Sequence, residues 1–72
     1  MYFVILIEKD SAPTLYGPYC SVKSAIDIIQ GPIGNVPVGS IQECDETYYY
    51  PDDPNRISIT LTTATKAGCT PL

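Results

Sequence analysis

The chain has 72 residues, 44% of them hydrophobic, and a net charge of −4. That describes one small folded domain, residues 1–72, with a thin core; the chain is too apolar to be disordered. Its basic residues, Lys9, Lys23, Arg56 and Lys66, are scattered along the sequence, so no patch forms to neutralise phosphates and direct nucleic-acid binding is not expected.

Residues 2–8, YFVILIE, are apolar on both parities, with Tyr2, Val4 and Leu6 on one and Phe3, Ile5 and Ile7 on the other. A half-exposed strand alternates, so this pattern predicts a central strand covered on both faces. The apolar run is too short for a signal-peptide core or a membrane span, and Lys9 follows it rather than precedes it. A cytoplasmic protein that does not contact membranes is expected. EKDSAP marks a turn. TLYGPY, 14–19, predicts a short second strand ended by Gly17-Pro18, since proline cannot donate to a ladder.

Ser21 is a good N-cap for a helix over 22–30, where Val22, Ala25, Ile26 and Ile29 recur at helical spacing. Gly31 is expected to take a left-handed cap conformation, and Pro32 bars continuation. GPIGNVPVGS, 31–40, reads as a loop; its GxxG lacks the following lysine of a phosphate cradle.

Residues 41–50 and 56–65 predict two strands joined by PDDPN. Ile57, Ile59 and Leu61 share one face of the second, with Ser58, Thr60 and Thr62 on the other. The first alternates badly, because Ile41 shares parity with Glu43 and Asp45. A bulge would restore its phase, at a place the sequence does not specify. Residues 66–72 read as a ragged tail. The order β-(β)-α-β-β implies an α+β domain: a small, mainly antiparallel sheet of three to four strands with one helix on one face. Such a helix, ~15 Å long, covers a single face. The second apolar parity of residues 2–8 therefore calls for another cover, a second copy of the chain or a different protein.

The chain contains no histidine, and Cys20, Cys44 and Cys69 are widely spaced. Neither a disulfide framework nor paired zinc ligands can be read from them, so three reduced, mostly buried thiols are expected. Cys20 precedes the helix N-terminus but has no evident base, so no catalytic nucleophile is assigned. The stretch ECDETYYYPDDPN, 43–55, concentrates five carboxylates and three tyrosines. It lacks the spaced acidic loop that wraps calcium, so no metal or cofactor is expected and the chain is not read as an enzyme. Two readings of this stretch stand. In one, Tyr48, Tyr49 and Tyr50 stabilise a hairpin and the acids are its solvated end. In the other, a tyrosine anchors a partner while Asp45, Glu46, Asp52 and Asp53 steer its basic surface.

TLYGPYCSVKSAIDII, residues 14–29, joins a strand, a Gly-Pro-aromatic step and a Ser-capped helix. In this it resembles many short phage and prophage accessory proteins. The resemblance implies a protein that binds a host protein in the host cytoplasm, inhibitors of bacterial defence systems included; it supplies no functional motif to carry over. The function expected is a non-catalytic binding module acting through Asp45, Glu46, Tyr48, Tyr49, Tyr50, Asp52 and Asp53. The alternative is a structural subunit whose second sheet face is buried in a homodimer.

Overall fold

In a computed structural model, which describes residues 1–63, five elements follow in the order β1 (Tyr2–Glu8), β2 (Thr14–Tyr19), α1 (Val22–Gln30), β3 (Thr47–Tyr49) and β4 (Arg56–Thr63). The four strands form one sheet in the order β2-β1-β4-β3, each pair antiparallel. This is the small α+β architecture that the patterning implies, with β1 inside the sheet. The expected tail, Cys69 and residues 64–65 of the second hairpin strand lie outside the described residues.

One face of the sheet carries the core. Val4 and Leu6 of β1, Ile59 and Leu61 of β4, Ala25 and Ile29 of α1, and Val36 and Ile41 of the following loop are all buried. With a core this small, truncating one side chain such as Leu61 to alanine is expected to cost about 2–5 kcal/mol. The helix starts where Ser21, extended at φ −142°, accepts the Ser24 N–H on its hydroxyl at 3.1 Å. Neither terminal turn carries a charge that complements the helix dipole, so α1 depends on its packed face.

The helix exit corrects the expectation for Gly31. Its φ is −87°, an extended conformation rather than a left-handed one. The left-handed residue is Asn35, at φ 50°, and the Val36 N–H returns to the Ile29 carbonyl at 3.1 Å. A Cβ on Gly34 would sit 2.2 Å from the Ile29 carbonyl oxygen, so only glycine allows the chain to fold back this closely. The loop thus joins α1 on the same face and delivers Val36 and Ile41 to the core.

The boundaries of two strands and the register of a third differ from expectation. β2 continues through Gly17-Pro18, a cis peptide, to Tyr19. Pro18 is tolerated because β2 is an edge strand, where a missing N–H breaks no necessary bond. Gly17 has φ +135°, and a Cβ there would meet Phe3 Cδ2 at 2.9 Å. In β4 the register steps from Ile7↔Ser58 to Glu8↔Arg56 and skips Ile57. This bulge leaves Ile57 48% exposed while Ile59 is fully buried, so Ile57 does not share the buried face assigned to it from parity.

The strand expected over 41–50 shrinks to Thr47–Tyr49. Ahead of it, the Asp45 N–H donates to the Leu61 carbonyl at 2.6 Å and the Leu61 N–H donates to the Glu46 carbonyl at 3.1 Å. Two residues oppose one, and the first, Asp45, has φ 69°. That is a bulge with an aspartate at the left-handed position where glycine is usual. No strand precedes it, so the poorly alternating residues 41–46 form a turn rather than a strand brought back into phase.

On the opposite face, the β1 parity of Phe3, Ile5 and Ile7 is half-buried. Register places Leu15 beside Ile5, and Ser58, Thr60 and Thr62 beside Ile7, Ile5 and Phe3. Thr47 and Tyr49 extend this face through their partners Thr60 and Ser58. Both α1 and the 31–41 loop lie on the other side.

Candidate functional site at the β3 edge

Alternation along β3 separates the three tyrosines. Tyr48 pairs with Ile59 and therefore faces the core side, as does Tyr50 two residues on. Their rings meet edge to face, with centroids 5.2 Å apart and an interplanar angle of 84°, an arrangement that aromatic quadrupoles favour. The Tyr50 hydroxyl donates to the Gly34 carbonyl. Arg56 Nη1 donates to the same oxygen at 3.0 Å, and its guanidinium lies 5.5 Å from the centre of the Tyr50 ring. Burial of the Tyr50 phenol raises its pKa above 10.0, and Arg56 partly opposes that rise.

Tyr49 points the other way and is 68% exposed. The run of three is thus two half-buried packing residues and one outward aromatic.

The acids divide in the same manner. Asp53 Oδ1 accepts the Asn55 N–H at 2.8 Å and the Arg56 N–H at 3.1 Å, and Asp53 Oδ2 lies 3.9 Å from Arg56 Nε. These bonds, that to Asn55 first, hold its carboxyl below the ordinary 3.8 and make Asp53 the closure of the turn between β3 and β4. Glu46 Oε2 accepts the N–H groups of Gln42 and Glu43 and closes the turn ahead of β3. Asp45 occupies the bulge, and its Oδ1 accepts the Thr62 hydroxyl at 3.3 Å. Asp52 is exposed. Asp45 and Glu46 sit at one end of β3 and Asp52 and Asp53 at the other, so the four do not form one cluster.

Tyr48, Tyr50, Pro51, Asp52, Asp53 and Pro54 line a shallow groove of about 430 Å³ beside the strand. Sequence reasoning missed the roles of Gly34, Arg56 and the two prolines. A glycine in a loop and a lone arginine gave no periodic signal of contact with Tyr50. The groove offers aromatic faces and carboxylates, groups that can hold a cation.

Among the described residues, no group of three or more His, Cys, Asp or Glu is placed to hold a metal ion. Cys20 and Cys44 are free thiols. No helix of the described residues is long and apolar enough to cross a membrane. Comparisons with family models, curated proteins and solved structures find no match to the chain.

Proposed function

We propose that the protein is a small, non-catalytic binding module that engages a basic protein surface through the β3 edge, with Tyr49 as anchor and the exposed Asp52 as a steering charge. The observation that carries this reading is the 68% exposure of Tyr49 on a strand whose opposite face borders a groove lined in part by Asp52 and Asp53. A large aromatic held outward on a short strand has little rotamer freedom to lose when a partner covers it. The seven residues expected at the interface take different parts in this proposal. Tyr49 and Asp52 contact the partner directly, Tyr48 and Tyr50 shape the groove, and Asp45, Glu46 and Asp53 hold the loops at either end. A bacterial host protein, such as a defence component, is the partner class that the resemblance of residues 14–29 implies. The test is a pull-down from host lysate with the native chain and with Tyr49→Ala. A specific partner lost with the variant supports the reading, and one retained equally by both overturns it.

The second reading, a subunit that pairs with itself, is favoured by a separate observation. Phe3, Ile5, Ile7 and Leu15 share the sheet face away from α1, and Leu15 is 47% exposed. Light scattering coupled to size exclusion decides it. A dimer that Ile5→Lys converts to a folded monomer supports self-pairing through this face; a monomer at high concentration rejects it.

A further inference from the structure

The sheet has two outer edges, and they are not equivalent. β2 carries Pro18, which has no N–H to offer, and proline on an edge strand is a common block to further pairing. β3 has no proline within its span. Its bonds to β4 are made from alternate residues: Leu61 donates to Glu46 and Tyr50 donates to Ile57. Continuing this alternation turns the backbone of Tyr48 toward β4 and the N–H and C=O groups of Thr47 and Tyr49 outward.

A strand added along that edge would direct its side chains alternately to the two faces. Those on the core side arrive beside Tyr48 and Tyr50, where the groove of about 430 Å³ is also lined by Asp52 and Asp53. Those on the other side arrive beside Tyr49.

We propose that the outer edge of β3 accepts an extended peptide as a fifth strand, with a lysine or arginine side chain of that peptide seated in the groove between Tyr48, Tyr50 and Asp52. The inference rests on the binding-module reading and names the chemistry of its partner. Main-chain bonds to Thr47 and Tyr49 supply a sequence-independent attachment, and the groove supplies the preference for a cation. Charge complementarity favours this occupant, and it disfavours a second copy in the register centred on Tyr49. Antiparallel self-pairing centred on Tyr49 sets Glu46 against Asp52 and Asp45 against Asp53 of the other copy, and like charges directly opposite are destabilising. A peptide with basic residues meets the same carboxylates favourably.

The experiment titrates isotope-labelled protein with a short capped peptide of alternating valine and lysine, followed by nuclear magnetic resonance. Two control peptides carry glutamate in place of lysine, or N-methyl groups on alternate amides. The lysine peptide is expected to shift the Thr47 and Tyr49 amide signals and slow their exchange with solvent. The controls should not, and Asp52→Lys should weaken binding about tenfold. Unmoved Thr47 and Tyr49 signals at millimolar peptide overturn the proposal. So does equal binding of the N-methylated peptide, which would mean adhesion by charge alone. So does protection of the same amides in peptide-free protein that scatters as a dimer. Thr47→Pro removes one outward N–H and leaves the main-chain bonds to β4 in place, and Thr47→Val, which loses only the hydroxyl contact with Thr60, controls for the side chain; the pair separates this inference from the reading beneath it. A host partner that depends on Tyr49 but tolerates Thr47→Pro refutes the edge and keeps the module. A partner indifferent to Tyr49→Ala refutes the module reading even where the lysine peptide docks.

Discussion

Tyr50 and Arg56 donate to one acceptor, the Gly34 carbonyl oxygen. They come from opposite sides of the β3–β4 turn, so the turn is fastened to the loop that follows α1 by two bonds converging on one atom. Gly34 is itself held against Ile29 by the tight return of the chain. The hairpin end, the loop and the helix are thereby connected, and the groove beside β3 acquires a fixed wall.

A shared acceptor makes a specific energetic prediction. Tyr50→Phe or Arg56→Leu alone leaves the carbonyl with one donor, and each is expected to cost about 1 kcal/mol. The double variant leaves the carbonyl unsatisfied. Its loss in chemical denaturation should exceed the sum of the singles by about 1 kcal/mol. Simple additivity would show that the two bonds do not compete for the same role.

The same hairpin end sets the pH response. Asp53 has a folded-state pKa below its ordinary value, so its contribution is present above pH 3.8 and is lost as pH falls through the folded value. Asp53→Asn should therefore flatten the acid limb of stability against pH. Tyr50 has a folded-state pKa above 10.0, so its contribution is present below pH 10.0 and is lost as pH rises through the folded value. Tyr50→Phe should remove that alkaline loss. Thermal melts across pH, comparing each variant with the native chain, check both signs.

At Asp45 the backbone and the side chain oppose each other. Its φ of 69° costs an ordinary residue roughly 1–2 kcal/mol, while its carboxylate accepts the Thr62 hydroxyl. Asp45→Gly removes the strain and the bond together, and should change stability little. Asp45→Ala keeps the strained conformation and loses the bond, so it should be less stable than the glycine variant by about 1 kcal/mol or more. Urea titration of the pair measures that difference. Equal stabilities would refute the left-handed bulge.

The thiols give a compositional check. Cys20 and Cys44 are free, and the chain has three cysteines in all. A thiol reagent under denaturing, non-reducing conditions should titrate three groups per chain. One group would reveal an internal disulfide.

How much of this was legible depended on the range of the interactions involved. The helix was readable because its cap is local: Ser21 serves the N–H of Ser24, three residues on. The interior position of β1 was readable because Phe3, Ile5 and Ile7 repeat the apolar character of Val4 and Leu6. The bulges were not readable. Asp45 and Glu46 are fixed by Leu61, and Ile57 is skipped through pairing with Ile7 and Glu8, contacts that no local window contains. The candidate site shows the same division. The tyrosine run was conspicuous, but assigning Tyr49 outward and Tyr50 inward required Gly34 and Arg56. The acids looked like one group because they are close in sequence; an intervening strand places them at its two ends.

That division of the tyrosines yields the sharpest test of the binding surface. Tyr48 and Tyr50 pack against the core, so truncating either to alanine should destabilise the fold by about 2–4 kcal/mol, through lost burial and, for Tyr50, the lost bond to Gly34. Tyr49 is mostly exposed, so Tyr49→Ala should leave circular dichroism native and cost less than about 1 kcal/mol of stability. Buried interface anchors cost ~2 kcal/mol or more on truncation, so the same variant should weaken partner binding at least tenfold. Asp52→Lys should act differently, slowing association and reducing its dependence on salt, because a charge at the rim acts mainly on encounter. Calorimetry for affinity and stopped flow for association separate the two effects. If Tyr49→Ala unfolds the domain, or if neither variant changes binding, the β3 edge is a solvated hairpin end and the partner docks elsewhere.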